Sequence, residues 1–197
     1  MSNKVDRRVR KTRAQLRAGL ARLLQKKSIK EITVKELVEE VDINRSTFYL
    51  HYTDIYQMLE SIEQELMDEI SETMRTYPPD PMGKDGSYLF ITQIFMILEE
   101  NRDICCALLG PNGDIAFVNR IEKIIAKTVL DRLGNIFPKN IRDVEYAYTF
   151  CLTGCVGMIK SWLNDQHSDS PQHMAELTYQ FIANTAHLYL NQSFKTN

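Results

Sequence analysis

The apolar and small positions near the start of the chain step by three and four: Val5, Val9, Thr12, Leu16, Leu20 and Leu23. That spacing lines one face of a 3.6-residue helix and predicts a first amphipathic helix of about five turns. The segment KKSIKEI interrupts it. Thr33 then opens TVKE, the pattern of a capping box, in which the Thr33 hydroxyl and the Glu36 carboxylate satisfy orphan amides reciprocally. Val34, Leu37, Val38 and Val41 follow at helical spacing and give a short second helix. DIN is left for a tight turn, where Asp42 tolerates a left-handed backbone, though less easily than Gly. Asn44 is a good N-cap for a third helix from 45 to about 51. A fourth begins near Asp54, carries Ile55, Leu59, Ile62, Leu66, Ile70 and Met74 on one stripe, and ends at Tyr77 before the prolines.

Helical patterning continues over residues 87–101, 103–109, 114–135, 141–166 and 171–192, about nine helices in all. Stretches such as AYTFCLTGCVGMIKSWL are apolar over more than one face, which suits the interior of a bundle or an oligomer interface. No run alternates apolar and polar residues, and no Asn-Gly or Asp-Gly pair joins two β-rich runs. The chain reads as all-α.

Composition adds little until charge is resolved along the sequence. Hydrophobic content of 44% and charged content of 25% are those of an ordinary globular protein. The net charge of −2 conceals an imbalance: residues 1–56 hold 13 Lys and Arg against seven Asp and Glu, so that segment is +6 and the remainder −8. A basic segment of this kind either meets a polyanion or forms a solvated helix face. The leader from Lys4 to Lys11 is compatible with an arm along DNA and equally with a disordered, solvated extension. It has no apolar stretch behind it to make a secretory signal, and YLFITQIFMIL and FCLTGCVGMI are too short to span a bilayer. A cytoplasmic protein with no membrane contact is expected.

The four Cys, at 105, 106, 151 and 155, then read as reduced thiols. Cys151 and Cys155 share a helix face, but no further ligands stand at metal-binding spacing, and core packing is the simpler role. His167, His173 and His187 offer no metal spacing, and no Ser-His-Asp constellation or phosphate-cradling Gly loop is present. Neither enzyme activity, cofactor nor metal is expected.

Function is carried by DINRSTFYLHY, residues 42–52. Two short helices joined by a three-residue turn, the second with a polar first turn, form a helix-turn-helix pattern. In that motif the second helix enters the major groove with its N-terminal residues on base edges. The wheel turns Phe48 and Tyr52, with Ile43 before them, towards the first two helices, and turns Arg45, Ser46 and Tyr49 away. Arg45 is suited to donate a fork to guanine, and Ser46 and Thr47 to meet phosphates or bases. Tyr49 and His51 are suited to phosphates, as is Thr33 with the amides at the start of the second helix. The candidate DNA-binding set is Thr33, Asn44, Arg45, Ser46, Thr47, Tyr49 and His51.

Residues 9–60 resemble the DNA-binding head of the tetracycline-repressor (TetR) family, on the stretch ITVKELVEEVDINRSTFYLHYTDIYQML. Departures are specific: the family's Ala-Gly turn stands here as Val41-Asp42, its Phe after the recognition helix as Tyr52, and its Lys at the start of the fourth helix as Ile55. The resemblance implies a three-helix helix-turn-helix domain over 1–53 and a helical ligand-binding and dimerisation domain over 54–197. It also implies a homodimer through the last two long helices, a roughly palindromic double-stranded operator, and release of a repressor by a small-molecule effector. Phe95, Met96, Phe117 and Trp162 suit an apolar effector site, although each is more simply a core side chain. The missing Lys and the acidic C-terminal part motivate an alternative, a helical adaptor of the same architecture that acts through protein–protein contacts.

Overall fold

The computed structural model describes residues 2–80, 84–136, 141–165 and 169–193. Among these there are nine α-helices, one short 3-10 helix and no strand. The helices are α1 (Ser2–Leu24), α2 (Val34–Glu40), α3 (Arg45–Tyr49), α4 (Ile55–Thr76), α5 (Lys84–Glu100), α6 (Arg102–Leu109), α7 (Ile115–Ile136), α8 (Ile141–Asn164) and α9 (Pro171–Ser193). The all-α class expected from the periodicity is what the structure shows. His167 and the side chains of Lys4, Val5 and His187 lie outside the described residues. Among the described residues no helix is long and apolar enough to cross a membrane.

The helices gather into two compact units. The first comprises Met1–Met67 with Asn101–Val118, and the second Asp68–Glu100 with Asn119–Asn197. In the first, α1 is the platform: α2 and α6 both pack on it, and α3 packs on α2. Its core is Leu16, Leu20, Leu24, Leu37, Phe48, Met58, Ile62 and Ile104, all essentially sealed from solvent. Each such side chain contributes about 1.5–3 kcal/mol of burial. Gly19 makes the α1–α2 approach possible, because a methyl group there would collide with Val41 Cγ1 and meet Leu37 Cδ1 at 3.0 Å.

Two local details differ from the sequence reading. Thr33 does cap α2, its hydroxyl accepting from the Glu36 amide at 3.2 Å, but the Glu36 carboxylate turns away to accept from Lys27 Nζ at 2.6 Å. The reciprocal box forms one turn earlier instead, at a 3-10 helix over Ile29–Glu31 that the periodicity did not reveal. There Ser28 Oγ accepts from the Lys30 amide, and the Ser28 amide donates to Glu31 Oε2 at 3.1 Å. Lysine supply explains the change: a cation on the α1 side of the chain outcompetes a backbone amide for Glu36.

The turn after α2 behaves as expected. Asp42 has φ 52, the one positive φ outside Gly among the described residues. The Ile43 amide donates to Val38 O at 2.9 Å and the Asp42 amide to Glu39 O at 3.4 Å. This is the Schellman arrangement, which ends a helix through one left-handed residue.

In the second unit α5 and α8 each pack on α9. Phe90, Ile91, Phe95, Trp162, Leu163, Met174 and Ala175 are buried there. Phe95 and Trp162 meet edge to face with centroids 5.2 Å apart, and Trp162 Nε1 donates to Asp169 O at 2.7 Å. Both rings are thus fully engaged as core. Phe117 is buried within the first unit, and Met96 is half-buried in the second.

Two substitutions of opposite sign test this account of the first unit. Asp42→Gly relieves the left-handed backbone and should stabilise the fold by about 0.5 kcal/mol. Gly19→Ala should destabilise it by about 1–3 kcal/mol through overpacking against α2. Urea unfolding followed by circular dichroism reads both.

Candidate nucleic-acid interface

The site is built on a helix too short to persist alone, so packing must hold it. Arg45–Tyr49 spans five residues, with Asn44 capping its start. Asn44 Oδ1 accepts from the Ser46 amide at 2.9 Å and the Ser46 hydroxyl at 2.8 Å. Phe48 anchors the other side, completely buried, with Tyr52 beside it. The amides of His51 and Tyr52 donate to Phe48 O at 2.9 and 3.0 Å, which carries the winding past Tyr49.

The opposite face is open. Tyr49 is 49% exposed and Leu50 81%. Arg45 lies over the Tyr49 ring at 5.6 Å and donates to Tyr49 Oη at 3.1 Å, so the two side chains form one cationic, hydrogen-bonding unit. Asn44 and Ser46 are exposed, while Thr47 and His51 are half-buried. His51 faces Tyr52, ring centroids 6.3 Å apart. Thr33 stands exposed at the start of α2. Six of the seven predicted residues therefore belong to α3 or to the N-caps of α2 and α3, and His51 lies just past the Leu50 C-cap. The structure adds that Asn44 and Ser46 are already bonded to one another, as are Arg45 and Tyr49.

The expected cation at the start of α4 is absent in a definite way. Ile55 is 3% exposed and belongs to the core. Asp54 Oδ1 accepts from the Gln57 amide at 2.8 Å, so a carboxylate occupies the N-terminus of α4. Tyr56 is 57% exposed one position on.

A second constellation, invisible in the sequence, fixes the back of the site. Arg13 Nε donates to Tyr52 Oη at 3.1 Å, and its guanidinium lies over the Tyr52 ring at 5.6 Å. The same guanidinium reaches Ser61 Oγ at 3.4 Å and Glu65 Oε1 at 3.0 Å on α4. One turn on, Arg17 binds Glu65 Oε2 at 3.4 Å and Asn101 Oδ1 at 2.7 Å, just before α6. The Tyr52 hydroxyl holds the Arg13 pKa above its ordinary value, with burial opposing and Glu65 adding to the rise. The signal was partly there, since Tyr in place of Phe at 52 supplies a hydroxyl that needs a partner. Its partner lies 39 residues away, beyond any local pattern.

Three of the four thiols are disfavoured as thiolates by burial. Burial pushes Cys155 up to about 11, and burial also raises Cys151 and Cys106. Among the described residues no group of three His, Cys, Asp or Glu is placed to hold a metal ion.

An all-α chain with an exposed, capped recognition helix over a basic platform is a helix-turn-helix transcriptional regulator by class. Residues 85–184 match the family model for the TetR transcriptional regulator C-terminal region, just over half of the chain. The chain belongs to the TetR family. It is 28% identical over 174 residues to the uncharacterized HTH-type transcriptional regulator YxbF of Bacillus subtilis (strain 168), covering 86% of this chain and 44% of YxbF. The chain thus spans less than half the length of that relative. Among solved structures it is similar to a TetR transcriptional regulator from Streptococcus agalactiae 2603V, with TM-score 0.52 and 20% identity over 92% of this chain and 99% of that one. FadR from Bacillus subtilis, solved in complex with stearoyl-CoA, gives TM-score 0.58 and 13% identity over 87% and 98%. The fatty acid degradation regulator FadR from Bacillus halodurans gives TM-score 0.58 and 8% identity over 87% and 94%. At these identities the structures share the fold.

Tyr52→Phe restores the family's usual residue, keeps the buried ring and deletes the acceptor for Arg13. It should cost about 1 kcal/mol in chemical denaturation. An unchanged midpoint would show that the bond adds nothing beyond the ring.

Proposed function

We propose that the protein is a homodimeric TetR-type repressor that binds a palindromic operator and is released by a small-molecule effector. The single observation that carries this reading is α3. Its buried side holds Phe48 and Tyr52, and its exposed side presents the bonded pair Arg45 and Tyr49. In the complex, Arg45 reaches a guanine edge, and Ser46 and Thr47 contact bases or phosphates. Tyr49, His51 and Thr33 hold the backbone in register, with Asn44 capping the helix among them. Residues 1–53 act as the DNA-binding head and 54–197 as the effector and dimerisation domain. No catalytic step or cofactor enters this scheme, and such a regulator meets its DNA in the cytoplasm.

Support for the dimer comes from α8 and α9. Tyr146, Phe150 and Phe181 are 68%, 74% and 56% exposed. Gly154 and Gly157 continue the α8 face, with open space where a side chain would stand. Large exposed rings beside glycines suit a self-complementary helix–helix contact. A two-fold dimer carries two copies of α3, so the operator of this scheme holds two like half-sites related by the same symmetry. The effector acts by favouring one spacing of the two heads. FadR of Bacillus subtilis holds stearoyl-CoA in this fold, which supports a small-molecule effector here without naming it.

Fluorescence anisotropy on the protein's own upstream region should show salt-dependent binding tighter than to random duplex. Arg45→Ala or Tyr49→Ala should weaken operator binding about tenfold or more and reduce the preference over random duplex. Equal affinity for both duplexes at physiological salt would overturn this reading in favour of the adaptor. Light scattering tests the dimer separately: Phe150→Glu should halve the measured mass, and a monomeric parent protein would overturn the dimer.

A further inference from the structure

Resting on that DNA-binding reading, we propose that Leu50 reads a base as well, and that the base it selects is thymine, through the 5-methyl group in the major groove. Three observations carry this.

First, Leu50 is 81% exposed, the most exposed of the large apolar side chains among the described residues. Leu16, Leu20 and Leu37 of the same unit are sealed from solvent. A leucine left in water forgoes the burial that stabilises the others, so the fold draws nothing comparable from this side chain.

Second, its direction is set by the helix. Leu50 keeps helical backbone, with φ −72 and ψ −16, and the winding runs on as the amides of His51 and Tyr52 donate to Phe48 O. Leu50 and Ser46 each stand about 160° round the helix from Phe48, one in each direction, and Arg45 and Tyr49 stand only about 60° and 100° from it. The row from Ser46 to Leu50 therefore points straight away from the buried anchor, one turn apart. Arg45 and Tyr49 flank that row and are already bonded to one another. With Phe48 against the core, Ser46 and Leu50 go deepest when α3 enters a groove.

Third, Leu50 offers no hydrogen bond, which decides what it meets. Every base presents donors or acceptors in the major groove, and thymine alone adds a methyl group. Against N7 and O6 of guanine, or N4 of cytosine, Leu50 strips water from a polar atom and returns no bond. Against thymine it covers one apolar group with another. The exposed face is then divided by chemistry, with Arg45 suited to guanine and Leu50 to thymine.

The test compares the full chain with its Leu50→Ala variant. The side chain is exposed and Ala favours helix, so circular dichroism should give an unchanged melting midpoint. Anisotropy titrations use the upstream region, the same duplex with every thymidine replaced by deoxyuridine, and a random duplex. Deoxyuridine removes the 5-methyl group and keeps the base pair. The parent should lose about fourfold in affinity for each methyl contacted when deoxyuridine is substituted. Leu50→Ala should lose as much on the natural duplex, and the two losses should not add when combined. A Leu50→Ala variant that binds the natural duplex like the parent overturns the proposal, as does a parent indifferent to deoxyuridine. Losses that add in full also overturn it, because Leu50 then touches something other than the methyl. In each of these cases a parent that prefers its operator to random duplex leaves the regulator reading intact. A parent without that preference overturns the regulator reading, and the role of Leu50 with it.

Discussion

Everything in the first unit depends on the burial of one face of α1. Leu16, Leu20 and Leu24 are sealed on it, and α2 can approach only because residue 19 has no side chain. The short helices could not stand without this platform. α2 spans seven residues and α3 five, well below the length at which a helix persists in water. Their geometry is supplied by contact with α1, by the left-handed Asp42 and by the Phe48 anchor. Exposed ion pairs such as Arg22 with Glu40 add orientation and little stability. The apolar term decides, and the polar bonds select one arrangement among those it permits.

Local rules made much of this legible. Periodicity reveals every α-helix, because each has one face against a core. The left-handed residue at 42 and the cap at 44 follow from backbone chemistry within a few positions, so a short window suffices. What the sequence concealed is non-local. Thr33 and Glu36 satisfy the capping-box spacing, yet Lys27 takes the carboxylate, because competition among partners is settled in space. The role of Gly19 depends on a helix that lies further along the chain, and appears only when α2 is brought against it. The Arg13–Tyr52–Glu65 linkage joins positions 39 and 52 residues apart, and no spacing rule reaches so far. Helix amphipathicity separates the buried Phe48 from the exposed Arg45, Ser46 and Tyr49, so that division was legible; their mutual bonds were not.

The second unit obeys the same physics with a different surface. Burial lifts Cys155 to about 11 and also raises Cys151, so little thiolate forms at neutral pH. Their spacing on α8 invites a redox reading, but partial burial disfavours the reactive thiolate at both. Burial likewise raises the Tyr148 pKa, with Glu122 and Cys155 adding to the rise, and its buried hydroxyl has no hydrogen-bond partner among the described residues. Such a group costs about 1–3 kcal/mol. Against that local cost stand Phe95, Trp162 and the packing of α5 and α8 on α9.

The Arg45–Tyr49 pair shows how a surface can be ordered before it binds. A free arginine loses about 2 kcal/mol of side-chain freedom when fixed. Stacking on Tyr49 and donating to its hydroxyl restricts Arg45 in advance, so less of that entropy remains to be lost on docking. The bond to Tyr49 uses one of five guanidinium donors, leaving others for a fork. Tyr49 keeps its hydroxyl proton available to donate while its oxygen accepts from Arg45. The two side chains are coupled through one contact: displacing either frees the other to move. The exposed face of α3 therefore keeps its geometry only while Phe48 remains seated beneath it.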